Sequence, residues 1–231
     1  MFSRQVCDGA ASRPELLRAC MRDAATTART TRDGHCWPVA GFAGVSALGT
    51  SIERVLNYAF DATPPIAGQR TRATLIRTED LDRTNAAQLT RPALSVLLYR
   101  VDFTKAMRSA LAPRAAEEGR NYLPLDLHYL LTAWADNAQD EHLIIGRTAQ
   151  VIDRFGMLSG PALDSTGGFD AQESVSLLME DLTTDELMRT FEALEVDFRL
   201  SLPYLARVVL VSGDDPQPPT RTLSVLSRVG A

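Results

Sequence analysis

Apolar and polar residues alternate along the segment from Tyr122 to Asp136. All odd-numbered positions between these ends are apolar, whereas the even positions include Asp126 and His128. This period of two is typical of a long β-strand that packs one face on a core. A helical period follows, with Asp140 as the candidate N-cap and one apolar face made of Ile145, Thr148, Ala149, Ile152 and Phe155. The pattern predicts a strand followed by a helix that lies across it.

Further strands and helices are predicted before this pair. Apolar residues at helical spacing predict a helix from Val45 to about Ala59, and a short strand follows at Ala73 to Arg77 before a polar loop. The segment from Arg91 to Phe103 is apolar on both faces over most of its length, which indicates a central strand covered on both sides. Lys105 to Asn121 is charged and contains Pro113, so we expect a long surface loop that joins two antiparallel strands.

The same signals continue towards the C-terminus. Gly156 to Gly168 has no regular period, and alternation resumes in a predicted strand from Ser174 to Leu182. Thr183 and Glu186 form a capping box ahead of a helix. A last strand is predicted from Leu202 to Val211, with one face made of Leu202, Tyr204, Ala206, Val208 and Leu210. Strands and helices therefore alternate along the chain.

The sequence divides into three predicted parts. Residues 1–44 form an N-terminal extension and linker, with a capped helix expected from Pro14 to about Ala28. Residues 45–212 form the core domain. Residues 213–231 form a C-terminal tail that begins with the proline-rich stretch GDDPQPPT. An apolar group in this tail could pair with the open edge of another sheet: Leu223, Val225 and Leu226.

The composition narrows the classes of partner. The chain has 231 residues, 45% of them hydrophobic, and a formal net charge of -5, so it lacks the net basic character that nucleic-acid binding requires. No run approaches the roughly 20 apolar residues of a membrane span, and the N-terminus lacks the layout of a signal peptide. We therefore expect no nucleic-acid partner, no membrane insertion and a cytoplasmic location.

Residues that could carry catalysis or bind a metal are sparse. The three cysteines, Cys7, Cys20 and Cys36, include no CxxC pair that could bring two thiolates to one metal ion. Asp126 and His128 point to the same side of the predicted strand and could form an acid/base pair. Because no nucleophile accompanies them, a hydrogen bond at a surface or interface is the favoured interpretation. No catalytic residue, metal or cofactor is therefore predicted.

Four separated segments resemble one known family. They are RPALSVLLYRV at Arg91 to Val101, LDLHYLLTAWAD at Leu125 to Asp136, the helix start from Glu141 to Gly146, and YLARVVLV at Tyr204 to Val211. In their order and spacing they resemble the tail-terminator or cap protein family of contractile injection systems, the phage-tail-like particles that drive a tube through a membrane. The extension before Val45 and the tail after residue 211 depart from the family pattern.

The resemblance implies both a fold and a function. The fold is an α/β (α+β) domain, in which helices pack on a mixed, largely antiparallel sheet. The function is that of a structural cap, in which six copies form a ring that closes the distal end of the inner tube and anchors the last sheath layer. The implied partners are further copies of the chain, the inner tube protein and the sheath protein. The alternative is a monomeric adaptor for cargo loading or particle assembly, which a mass measurement would distinguish from a ring.

A closed ring needs a head-to-tail contact between two different patches of the same chain. The first candidate segment is Lys105 to Asn121, and we expect its charged residues to form arginine–carboxylate pairs across subunits: Arg108, Arg114, Glu117, Glu118 and Arg120. Gly156 to Phe169 is the second candidate segment. The apolar group at Leu223, Val225 and Leu226 is the candidate contact to the last sheath ring.

Overall fold

The computed structural model describes residues 40–81, 89–118, 121–170 and 173–212. Within them, six strands form one sheet: β1 (Arg72–Ile76), β2 (Ala93–Phe103), β3 (Tyr122–Trp134), β4 (Met157–Ser159), β5 (Ser174–Met179) and β6 (Ser201–Ser212). Four α-helices accompany the sheet: α1 (Ala43–Ala62), α2 (Lys105–Glu118), α3 (Ala138–Phe155) and α4 (Thr184–Ala193). The strand order is β1-β2-β3-β6-β5-β4, and only the β1–β2 pairing is parallel. The predicted mixed, largely antiparallel sheet is confirmed.

The main core lies between one face of the sheet and the helices α1 and α3. β3 contributes its odd-numbered residues Leu127, Tyr129, Leu131 and Ala133. The helices contribute apolar stripes at helical spacing, which include Leu48, Ile52 and Leu56 from α1 and Ile144, Val151 and Ile152 from α3. The predicted core face of β3 and the predicted helix beyond it are therefore confirmed. The predicted face of α3 is right at Thr148 and Ile152, but the structure buries Ile144 and Val151 where Ile145 and Ala149 were expected.

A second, smaller core covers the other face of the sheet. It contains Leu130 and Trp134 of β3, Leu97 of β2 and Phe191 of α4. The sequence predicted only one buried face for β3, because its even positions include several polar residues. The structure buries both faces from Leu127 to Trp134. The buried polar residues Ser95 and Thr132 are accommodated by hydrogen bonds: Trp134 Nε1 donates to Ser95 Oγ at 2.9 Å, and the hydroxyls of Thr132 and Ser201 lie 2.8 Å apart.

The connection from β2 to β3 is a helix, so the predicted long surface loop is wrong. The two strands are antiparallel as expected, with Ala93 opposite Trp134 and Phe103 opposite Leu125. α2 occupies the connection and includes Pro113 in its interior. Proline is disfavoured inside a helix because it lacks the amide hydrogen that donates the backbone hydrogen bond. None of the described side chains of α2 is fully buried, and apolar residues show no clear helical stripe. The periodicity of the sequence therefore contained no signal for this helix.

The inward face of β6 changes partway along the strand. Leu125 pairs with Val209 and Leu127 pairs with Ala206, so two residues of β6 lie opposite Asp126. This β-bulge shifts the side-chain alternation by one residue. Tyr204 and Ala206 are buried as predicted, but beyond the bulge the buried residue is Val209. The predicted inward positions Val208 and Leu210 are therefore wrong.

Two element boundaries also differ from the prediction. α3 begins after Asn137, whose side chain accepts a hydrogen bond from the amide of Asp140 at 2.9 Å. Asn137 is therefore the N-cap, and Asp140 lies in the first turn, where a carboxylate is favoured by the helix dipole. The segment after α3, predicted to be irregular, contains β4 and two short 3-10 turns at Gly160–Ala162 and Ser165–Gly167.

The packed residues reach back to Ala40, before the predicted domain start at Val45. Ala40 is buried, and its carbonyl accepts a hydrogen bond from the Ser212 amide at 3.0 Å. The predicted helix from Pro14 to Ala28 and the tail from residue 213 lie outside the described residues. In the part of the chain that the structure describes, no helix is both long and apolar enough to cross a membrane.

Candidate functional site

α2 is exposed along most of its described length and lies against the first residues of β3. Two of its arginines pack over aromatic rings of the neighbouring strands. The guanidinium carbon of Arg108 is 5.5 Å from the centre of the Phe103 ring, and that of Arg114 is 5.3 Å from the centre of the Tyr122 ring. Such cation–π contacts contribute about 0.5–1 kcal/mol each at exposed sites. They hold the two arginines close to the surface of the sheet.

The predicted interface residues fall into two groups. Arg108, Arg114 and Glu117 lie on α2, at exposed or half-buried positions. The backbone of Glu118 ends α2, and its side chain is outside the described residues. The remaining predicted residues also lie outside them: Arg120, Leu223, Val225 and Leu226. The expected contacts of all these residues with other subunits, tube or sheath stay predictions.

The second candidate segment, Gly156 to Phe169, is tied to α1. The Arg54 guanidinium bridges to Asp164 Oδ2 at 3.3 Å and also donates to the carbonyls of Pro161 and Ala162 at 3.1 Å. Hydrogen bonds from the Thr166 side chain and amide, with a smaller contribution from Arg54, lower the pKa of Asp164 below its usual value. Because these contacts occupy the inner side of the segment, only its outer side is available to a partner.

A partly buried polar network links three parts of the sheet around His128. His128 Nδ1 lies 2.8 Å from Glu180 Oε1, and His128 Nε2 lies 3.1 Å from Asp102 Oδ2. Arg100 adds a contact to Asp102 at 3.1 Å, and the Tyr99 hydroxyl donates to Glu180 Oε2 at 3.3 Å. Burial, together with the nearby Glu180 carboxylate, raises the pKa of Tyr99 to about 12. The network therefore joins β2 and β3 to the residue that follows β5.

Asp126 and His128 do not act as the pair that the sequence left open. Asp126 accepts two hydrogen bonds from Arg207 of β6, at 3.0 and 3.4 Å, whereas His128 faces Glu180 and Asp102. Both residues are buried rather than at the surface. Their contacts connect neighbouring strands, and such contacts stabilise the register of the sheet. Among the described residues, no group of three or more His, Cys, Asp or Glu side chains could hold a metal ion.

The sequence contained a partial signal for this network. Once β2 and β3 are paired, Arg100 lies opposite His128 and Asp102 lies opposite Asp126, which places charged residues of the two strands together. Glu180 gave no such signal, because it follows β5 and reaches His128 only through the fold. Arg207 is brought to Asp126 by the β6 pairing, which local periodicity does not specify.

We expect Arg207→Met to destabilise the domain by about 2 kcal/mol. The substitution leaves the Asp126 carboxylate, only 9% exposed, without its cation. Loss of one partner of a fully buried pair costs about 3–5 kcal/mol, and we expect less here because Arg207 is half exposed and water screens the pair. Urea denaturation of the variant and of the unaltered chain measures the difference in the free energy of unfolding.

The matched control is the double variant Asp126→Asn with Arg207→Met, which removes both charges. It should recover most of the lost stability, because no unpaired carboxylate remains. Equal destabilisation of the single and double variants would show that the loss comes from packing and not from the unpaired charge.

The sequence matches the family described as the Pvc16 N-terminal domain over residues 47–224, which is more than half of the chain. Among solved structures, the chain is similar to the sheath/tube terminator, in the extended state, of an extracellular contractile injection system, PVC, with 17% identity and a TM-score of 0.44 over 79% of this chain. It is also similar to the tube-terminating cap of the anti-feeding prophage, with 20% identity and a TM-score of 0.44 over 78% of this chain. The chain spans 64% and 58% of these two proteins, respectively. The sequence has no significant match among curated proteins.

Proposed function

Because the chain belongs to the Pvc16 N-terminal domain family, we propose that it is the cap that ends the inner tube of a contractile injection system. The family match over residues 47–224 is the observation that carries this proposal. The match also confirms the resemblance of four sequence segments to the tail-terminator family. The proposed particle contains six copies of the chain in a closed ring, which contacts the inner tube protein and anchors the last layer of sheath protein.

The requirement for a distinct cap follows from how a tube grows. A tube built from identical rings presents at its growing end the same surface that forms every internal joint. Elongation therefore stops only when a different ring binds this surface and presents another surface outwards. A closed cyclic oligomer with the symmetry of the tube meets both conditions. The ring assembles from chains made in the cytoplasm and takes its place at the distal end of the particle.

The fold is well suited to such a role. Three long strands, β2, β3 and β6, are paired side by side, and a partly buried ion pair joins β3 to β6, so we infer that the framework of the domain is rigid. α2 lies outside both cores and presents charged side chains to solvent. A rigid domain with exposed charged elements supports contacts of defined geometry between neighbouring copies.

Particles from cells that lack this protein test the proposal directly. We expect tubes of uncontrolled length whose sheath is absent or contracts early, as measured by negative-stain electron microscopy. Expression of the unaltered chain from a plasmid should restore a uniform length. Sheathed, contractile particles of normal length in the deletion strain would contradict the proposal. If the deletion strain makes such normal particles and the purified chain is monomeric, the monomeric adaptor becomes the favoured function.

A further inference from the structure

Two exposed patches of this chain have matching composition and opposite charge. The basic patch lies at the start of α2 and consists of Phe103, Lys105 and Arg108, together with the exposed Met107 on the adjacent side of the helix. The acidic patch lies at the end of α4 and beyond it, and consists of Met188, Glu192, Glu195 and Phe198. Each patch combines one methionine and one phenylalanine, between 37% and 50% exposed, with two charged residues. Surfaces of this kind are typical of protein–protein contacts, where apolar groups are surrounded by charge.

The basic patch places positive side chains at the N-terminal end of α2, the end of the helix that is itself partially positive. The amide groups at a helix N-terminus carry a partial positive charge, which carboxylates stabilise and cations oppose. The first turn of α2 contains no acidic residue. Among the described residues, neither Lys105 nor Arg108 has an ion-pair partner. In the part of the chain that the structure describes, the charges at this end of α2 therefore have no carboxylate partner.

The acidic patch has the converse arrangement. The last turn of α4 contains no basic residue, although a helix C-terminus is partially negative and favours cations. Glu192 lies in this turn and Glu195 follows it, and neither has an ion-pair partner in the part of the chain that the structure describes. Phe198 packs edge-on against the buried Phe191, with ring centres 5.3 Å apart. The patch is therefore anchored to the second core.

We propose that the acidic patch of one copy binds the basic patch of the next copy around the ring. The inference rests on the proposed ring and assigns its subunit contact. The contact pairs Glu192 and Glu195 with Lys105 and Arg108 of the neighbour. It also brings carboxylates to the positive end of α2 and cations to the negative end of α4, so that both helix ends gain the charge they favour. The methionine and phenylalanine side chains of the two patches pack together, and methionine adapts readily to such surfaces.

The two patches are too far apart to meet within one copy. The basic patch lies where β2 passes into α2, with Phe103 opposite Leu125 of β3, whereas Phe191 of α4 lies in the second core with Leu130 and Trp134 near the end of the same strand. Positions 125 and 130 are about 17 Å apart along a strand that rises about 3.3 Å per residue. A contact between two different patches of one chain is head-to-tail, which is the type of contact that closes a ring.

Charge reversal of each patch tests the contact. We expect Lys105→Glu with Arg108→Glu, and separately Glu192→Lys with Glu195→Lys, to weaken ring assembly at least about tenfold, as measured by sedimentation velocity of the full chain. Each reversal places favoured charge at its helix end, which in the first variant offsets the lost cation–π contact between Arg108 and Phe103, so both variants should melt close to the temperature of the unaltered chain. An equimolar mixture of the two variants should form rings again, because each variant then meets only neighbours of opposite charge. The control for the first variant is Arg70→Glu with Arg154→Glu, which makes the same change of net charge away from both patches and should assemble normally.

The outcomes separate this inference from the proposed function. If the unaltered chain forms rings and the reversed variants assemble equally well, the patch contact is wrong and the ring stands. The same conclusion follows if the mixture of the two variants stays monomeric. If the unaltered chain forms no ring at any concentration and particles lacking it have normal length, the proposed function fails, and the contact fails with it.

Discussion

We expect Leu127→Asp to abolish folding of the domain. Leu127 lies in the middle of β3, pairs with Val101 on one side and Ala206 on the other, and is completely buried in the main core. An aspartate at this position would place a carboxylate among apolar side chains with no cation in reach. The cost of an unpaired buried charge, added to the lost leucine packing, is comparable to the roughly 5–15 kcal/mol that stabilises a typical domain.

The matched control is Leu123→Asp on the same strand. Leu123 is also at an odd position of β3 but is 41% exposed, so a carboxylate there can remain in water. This variant should be soluble, with a circular dichroism spectrum like that of the unaltered chain. A soluble Leu127→Asp variant with the same native spectrum would contradict the position of this residue in the core.

Trp134→Ala should produce the second largest loss, about 3–5 kcal/mol of the free energy of unfolding. Trp134 is 1% exposed and fills the second core beside Leu97 and Phe191. Its indole nitrogen donates to Ser95 Oγ at 2.9 Å, and the Arg199 guanidinium carbon lies 4.3 Å from the ring centre. Replacement by alanine leaves a cavity and removes both contacts. For a domain of this size the melting temperature should fall by roughly 10 °C.

Trp134→Phe distinguishes the loss of volume from the loss of the hydrogen bond. Phenylalanine fills much of the same space, and Ser95 Oγ can still donate to the Thr132 carbonyl at 3.3 Å. We therefore expect this variant to lose only about 1–2 kcal/mol. A Trp134→Ala variant as stable as the unaltered chain would mean that the second core contributes little to the fold. Urea denaturation monitored by circular dichroism measures the free energy of unfolding of the unaltered chain and of both variants.

Several features of the fold could be predicted from the sequence because they depend on residues close together in the chain. The alternation from Tyr122 identified β3 and its main core face. The capping box before α4 is present, with the Thr183 hydroxyl accepting from the Glu186 amide at 3.3 Å and the Glu186 carboxylate accepting from the Thr183 amide at 2.9 Å. The antiparallel pairing of β2 and β3 followed from their lengths and adjacency. Each of these signals acts within a few residues or between neighbouring elements.

The candidate site was predicted only in part. Sequence reasoning selected Arg108, Arg114 and Glu117, and the structure places them on an exposed helix. It did not select Glu192 or Glu195, because a carboxylate on a polar helix face is common and has no distinguishing pattern. Their proposed role in the subunit contact rests on three features of the folded chain. Both lie at the C-terminal end of α4, neither has an ion-pair partner among the described residues, and α2 carries cations at its N-terminal end.

The sequence by itself determined the identity of β3, the apolar stripe of α1, the presence of α3, the cap of α4 and the family of the chain. The tertiary structure alone decided which polar residues are buried, where β6 bulges and what covers the second face of the sheet. His128 and Glu180 meet although they are distant in sequence, and the inward face of β6 shifts because Asp126 lies opposite two residues. The physical reason is the distance along the chain over which each signal acts. Periodicity and capping depend on local backbone geometry. Burial and register depend on contacts between elements far apart in the chain, so they are settled only when the core packs.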